Sequence, residues 1–269
     1  MPVDNDLTPF PSRATTPAWE VIMAICRMDF TRMARQKAMV VGMWIMPAIL
    51  LVIVGNGAGA MSGLGARYVQ FILPGIIGLS VSFTATLAAA RFFLDRKHGF
   101  LRVSFLAPVS RTVLFVAKIS SATLLSVAQG AIFLLFLPFL HVPMEAGAMT
   151  ILLLAIGMIA ASLNAIGLAL ASVCESYENL QALSIGIKFP LVQITPAFFP
   201  LSSLKGVLGT VVAYNPLTYG LDAMKHMVLT PLARSRLHID FPVSVDLISM
   251  AAFTMVCVAI AWHVFRYRD

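Results

Sequence analysis

Long apolar runs separated by short polar stretches dominate this chain of 269 residues. Six such runs lie at about 38–56, 68–90, 112–140, 146–173, 180–199 and 247–265. Each approaches or exceeds the roughly 20 residues that a helix needs to cross a bilayer. The runs are continuous, unlike the ~10-residue alternating segments of an outer-membrane barrel. The pattern therefore predicts an all-α polytopic membrane protein with six transmembrane helices spread over 38–265. Pro47 predicts a kink in the first, and Pro190 interrupts the fifth.

A different periodicity precedes the first run. Over 17–37, Trp19, Ile22, Met23, Cys26, Phe30 and Met33 recur on one side at helical spacing. Arg27, Thr31 and Arg35 follow one another four residues apart on another side. Pro17 suits a first helical position, Thr16 suits a cap, and Glu20 lies near the positive end of the dipole. The segment reads as an N-terminal amphipathic helix in the membrane interface; the plainer alternative is a cytoplasmic helix packed on protein. Residues 1–16 are polar, with Asp4 and Asp6, and Met1–Pro17 holds four prolines without a secretory leader pattern. They read as a disordered cytoplasmic tail.

The segment 200–246 is long but not uniformly polar. Its part 200–214 is rather apolar, and 215–231 reads as a short helix. Asn215 caps that helix, Pro216 takes the first position, Asp222 can pair with Lys225, and Pro231 marks the end. We expect short re-entrant helices here, whose broken backbone protein or water must satisfy.

Charge then sets orientation. Only 12% of residues are charged, against about 25% in a soluble domain. With the N-terminus inside, the inner segments hold 12 Lys and Arg and the outer ones 5. That bias places both termini, including 266–269, and the stretch 91–111 in the cytoplasm. The net charge of +7 is explained by this bias and by anionic lipid rather than nucleic acid. Three widely spaced cysteines suggest neither a disulfide framework nor a metal site.

The chain offers little reaction chemistry. Its five histidines are scattered, no metal, nucleophile-elbow or phosphate-loop motif occurs, and no carboxylates pair within a run. Glu175 and Glu178 read as solvated helix-end charges. Lys188 stands inside the fifth run, so it either faces protein, water or a transport path, or snorkels along a broken helix. Lys118 lies near enough to a run's end to snorkel, and Asn164 reads as an interhelical hydrogen bonder.

Three motifs in order resemble the permease subunits of type-2 ATP-binding-cassette (ABC) exporters, the family of drug-resistance and nodulation-factor export permeases. The first is Asp95-Arg96-Lys97-His98-Gly99-Phe100, followed by Leu106-Ala107-Pro108-Val109-Ser110-Arg111. The second is Ala197-Phe198-Phe199-Pro200-Leu201, and the third is Asn215-Pro216-Leu217-Thr218-Tyr219 with Asp222. The order, the spacing and the six-span plan agree over nearly the whole chain.

The resemblance implies that 91–111 is a coupling loop that docks on an ATP-hydrolysing subunit, with the amphipathic helix beside it. It implies a non-catalytic inner-membrane subunit that works as a dimer, homodimeric on our reading, with two P-loop ATPase subunits. ATP-Mg would bind those subunits, and this chain would carry no cofactor or metal of its own. The implied cargo is amphipathic, drug-like or lipid-linked, exported between spans one, two and five. Where the family often has Glu, near Lys97 and Arg102, this loop is cationic, so a partner's groove should be acidic. A polytopic membrane enzyme or assembly factor and an ion-coupled transporter are the alternatives; each would call for polar or acidic clusters within the spans.

Overall fold

The computed structural model describes residues 17–61, 66–99, 110–140, 142, 146–198, 206–230 and 241–268. The expected tail 1–16 lies outside these, as do Phe100, Pro108, Phe199 and Pro200. Among the described residues the chain is helical and has no strand.

Helix α1 (Ala18–Arg35) opens one residue later than expected, because Pro17 is the N-cap and its carbonyl accepts from Glu20 N at 3.0 Å. It ends earlier too. Gln36 leaves helical geometry (φ −92°, ψ 57°) and re-aims the chain into α2 (Lys37–Met61), which runs through Pro47. Trp19, Met23 and Phe30 remain exposed on α1, while Met33 is buried. That exposed apolar face suits a lipid interface.

Helix α3 (Ala66–Lys97) is the axis of the bundle, mostly buried and packed on α2 and on four later helices. It continues beyond the expected end at 90, so 91–97 is helix rather than loop. Two causes combine. Phe92 and Phe93 are buried, and Arg96 and Lys97 complement the negative end of the helix dipole. Gly99 then stops the helix in the left-handed region (φ 76°), where a Cβ would be strained.

Helix α4 (Arg111–Ile132) starts at Ser110, whose Oγ accepts from Val113 N at 3.3 Å. It tightens into the 3-10 turns Phe133–Phe136 and Pro138–Leu140. Helix α5 (Ala146–Val173) matches its expected run. Helix α6 (Tyr177–Gln193) is capped by Ser176 and closed at Ile194, whose N donates to Pro190 O at 2.7 Å. Short helices α7 (Val207–Tyr214) and α8 (Pro216–Val228) precede the terminal α9 (Val243–Arg268). The protein is thus an all-α polytopic membrane protein. Helices α2, α3, α4, α5 and α9 have the length and hydropathy to cross a membrane. The expected fifth span appears as the shorter α6, of 17 residues.

Two cores hold the bundle. At the end carrying α1, here called the base, Phe92, Phe115, Trp262 and Phe265 join α3, α4 and α9 with ring centroids 5.2–6.3 Å apart. Toward the far end, α8 is nearly submerged between α3, α5 and α9. Small residues permit this approach, as at membrane helix contacts generally. A Cβ on Gly75 would lie 2.6 Å from Ala197 Cβ and 3.2 Å from its Cα. Backbone cannot yield as a side-chain tip can. Gly75→Ala should therefore cost about 1–3 kcal/mol of stability. Gly186→Ala, which meets nothing within 4 Å, should be neutral or stabilising in its helix. Thermal unfolding of the two variants in the same detergent checks the contrast.

Candidate functional site

The motif residues at the base divide by the direction of their side chains. Asp95, only 14% exposed, accepts from Lys118 Nζ at 2.9 Å and from Arg32 Nη1 at 3.3 Å. Arg96 donates to Ala171 O at 3.1 Å, near the end of α5, where helix carbonyls lack intrahelical partners. Arg111 does the same at the end of α9, donating to Arg266 O at 3.1 Å. Lys97 and His98 instead face outward. Both ends of the stretch between α3 and α4 are therefore fastened to the bundle, with exposed basic residues beside the fastening. Phe100 and Pro108, between those ends, lie outside the described residues.

The far-end motif is a backbone fastening. Asn215 Oδ1 accepts from Leu217 N at 3.1 Å, the expected cap. Its Nδ2 also donates to Leu191 O at 2.7 Å and to Ile194 O. One amide thus joins the end of α6 to the start of α8, and Pro216 takes the first helical position where no N–H is needed. Tyr219 donates to Ala213 O at 3.2 Å and packs on Phe241. Phe198 accepts at its carbonyl from Tyr68 Oη at 2.9 Å. Phe199 and Pro200 are outside the described residues.

The expected Asp222–Lys225 pair is present at 3.9 Å, but both side chains are fully buried. Lys225 also donates to Pro196 O at 2.6 Å and lies over the Phe71 ring at 4.2 Å. Asp222 accepts from Phe241 N at 3.0 Å. Asp222, His226 and Asp246 place donor atoms within 4.8 Å of one another, a spacing that a cation could use. The nitrogen such an ion would need is engaged, however: His226 Nε2 lies 2.7 Å from Phe241 O and 3.7 Å from Asp246. With Lys225 beside it, the group reads as an ion-paired fastening between α8 and α9.

Lys188 is buried, and its ammonium donates to Ala85 O at 3.1 Å. Gly167 makes the room, since a Cβ there would stand 2.5 Å from Nζ. Lys188 thus joins α6 to α3 where α5 passes. It does not line the groove of about 570 Å³ between α2, α3 and α6. That groove is walled by Met39, Met43, Met46, Phe83, Ile185 and Phe189, with Ser82, Thr86, Gln181 and Ser184 as its polar points. Its lining carries no charge among the described residues.

Sequence reasoning missed the partners of Lys118. Its ammonium is 8% exposed and contacts Asp29 at 3.8 Å as well as Asp95. It is therefore bound to carboxylates rather than snorkelling. Ser121 donates to Asp29 at 2.7 Å. A signal existed: Asp29 falls on the same helical face as Ile22, Ile25, Cys26 and Met33, and an acid on an apolar stripe implies a facing cation. Asn164 does bond across helices, to Ser126 Oγ at 3.0 Å. The Trp44–Gln129 bond between α2 and α4 had no comparable signal.

The family model described as ABC-2 type transporter matches residues 20–229, which include all but the first two residues of α1, both motif regions and the groove. A Cyanophora paradoxa protein named as a transport permease (ycf38) is 22% identical over 204 residues, covering 74% of this chain and 70% of its own length.

Gly167 and Lys188 should behave as a pair. Gly167→Ala should cost about 1–3 kcal/mol, and less in a Lys188→Met background. A coupling of about 0.5 kcal/mol or more in a double-mutant cycle of detergent unfolding is expected.

Proposed function

Because the chain belongs to the ABC-2 type transporter family, we propose that it is the permease subunit of an ATP-driven exporter in the inner (cytoplasmic) membrane. The complex comprises two copies of this chain, as a homodimer, and two P-loop ATPase subunits that bind ATP-Mg. The chain itself is a non-catalytic transport subunit. Both termini and the base of the bundle face the cytoplasm, and α7 and α8 fold back into the outer leaflet.

The observation that carries this reading is the framing of the stretch between α3 and α4. Arg96 and Arg111 fasten its two ends to the ends of α5 and α9, while Lys97 and His98 stay exposed. A partner that moves this stretch moves four helices, as a coupling loop requires. Gly99 sets its departure from α3.

The groove between α2, α3 and α6 is the proposed path. An uncharged lining of methionines and aromatics suits the apolar part of an amphipathic, drug-like or lipid-linked molecule. Beside it, α2 leaves Val41, Ile45, Ile49 and Val52 exposed. We assign that face to the second copy, which would close the groove's open side.

Purification from the native host in mild detergent, followed by mass spectrometry, tests the reading. A P-loop ATPase should co-purify and be lost from the double variant Lys97→Ser, His98→Ser, which leaves the buried fastenings intact. Gly99→Pro should insert normally yet recover less ATPase, since proline cannot adopt φ 76°. A chain that emerges alone, or with a non-ATPase partner, overturns the proposal in favour of an enzyme or an ion-coupled carrier.

A further inference from the structure

We propose that Lys118 is a positioning residue that locks the amphipathic helix α1 to the base of the coupling stretch, so that the two move as one body. Lys118 stands on α4 and reaches two carboxylates on different elements, Asp95 on α3 at 2.9 Å and Asp29 on α1 at 3.8 Å. Ser121, three residues on and on the same face of α4, donates to Asp29 at 2.7 Å. Arg32 of α1 returns to Asp95 at 3.3 Å. Lys118 and Arg32 thus face the two carboxylates, with Arg91 close enough to act on Asp29, Asp95 and Arg32 as well. Both carboxylates are about 15% exposed and Lys118 is 8% exposed.

This arrangement concentrates the link in a few atoms. Helix α1 packs along α4 and far less on α2, and its tie to α3 runs through side chains. Asp95 is the residue through which both cations reach α3, and it lies four positions before Gly99, where the coupling stretch leaves the helix. Arg91 adds a neighbouring hold, donating to Gln36 at 3.2 Å at the break between α1 and α2. Removing the ammonium alone would leave Asp95 with Arg32 and Asp29 with Ser121 in a poorly solvated site, an incomplete set that is costlier than a balanced one. The fastening itself needs only this chain. Its consequence for coupling rests on the permease reading.

Hydrogen–deuterium exchange on the full chain in lipid nanodiscs tests the fastening. Lys118→Met keeps an unbranched apolar stem, one heavy atom shorter, and removes the charge. It should raise exchange in 18–35 and 94–99 by about tenfold, with α5 and the middle of α9 unchanged. Lys118→Arg should restore near wild-type exchange in 18–35, which a purely space-filling role would not predict. Should Lys118→Met loosen the whole chain, the charge-balanced variant Asp29→Asn, Lys118→Met keeps the Arg32–Asp95 pair, and selective loosening of 18–35 in it carries the proposal. Unchanged exchange in 18–35, or equal loosening of every helix in both variants, overturns it. In the complex with the ATPase, vanadate trapping should alter 94–99 and 18–35 together in wild type. In Lys118→Met it should alter 94–99 alone, and a joint response there overturns the coupling role. Absence of any ATPase would defeat the permease reading and leave the nanodisc result standing.

Discussion

Cations here are satisfied by neighbouring backbone, two of them, Lys188 and Lys225, wholly out of water, and the arrangement of the bundle depends on it. Arg96 meets the end of α5, Arg111 the end of α9, Lys188 a carbonyl of α3, and Lys225 the turn after α6. A charge near a bilayer must be paired, hydrated or near a helix terminus. Helix ends supply unpaired carbonyls carrying partial negative charge. Arg96 and Arg111 answer both demands at once, and each also fixes where one helix stops relative to another. Other charges at the base, among them Arg27, Arg35, Lys37, Lys97, Glu175 and Glu178, stay exposed.

Close packing completes what the cations begin. Gly130 faces Ile77, Val81 and Ile156, each within 3.2 Å of where its Cβ would be. Gly220 faces Ile159 even more closely, at 2.8 Å. Helices that approach at glycine gain dispersion contact, the main attraction left when lipid competes equally for apolar side chains. The far end thereby admits α8, a 13-residue helix too short to span, with its ion pair buried intact. The base relies instead on aromatic rings and salt bridges, and α1 is joined to it through side chains on one of its faces.

These two regimes set a charged, ring-packed base against a closely packed far end. The base presents exposed Lys97 and His98 on a frame fixed to several helices. The groove lies along α2, α3 and α6, with α3 common to the frame and the groove. A displacement of the α3 end would be carried by a mostly buried helix into the groove wall. Lys188, which holds α6 against α3, keeps that wall together without lining it.

Much of this was legible from residue order alone. Long apolar runs dictate helices across a bilayer because an unpaired backbone is too costly there. Asn215-Pro216 dictates a helix start because cap and missing N–H are local properties, and Asp222–Lys225 follows from helical spacing. What the sequence could not determine is which distant groups meet. Lys118 looked free to snorkel until Asp29, 89 positions earlier, came to lie beside it. The extension of α3 through 91–97 depends on Phe92 and Phe93 finding α4, α6 and α9. Lys188 could have faced a path or a carbonyl, and only the approach of α3 and Gly167 chose the carbonyl. Local rules act through neighbours along the chain, whereas burial of a charge is decided by whatever the fold brings across from it.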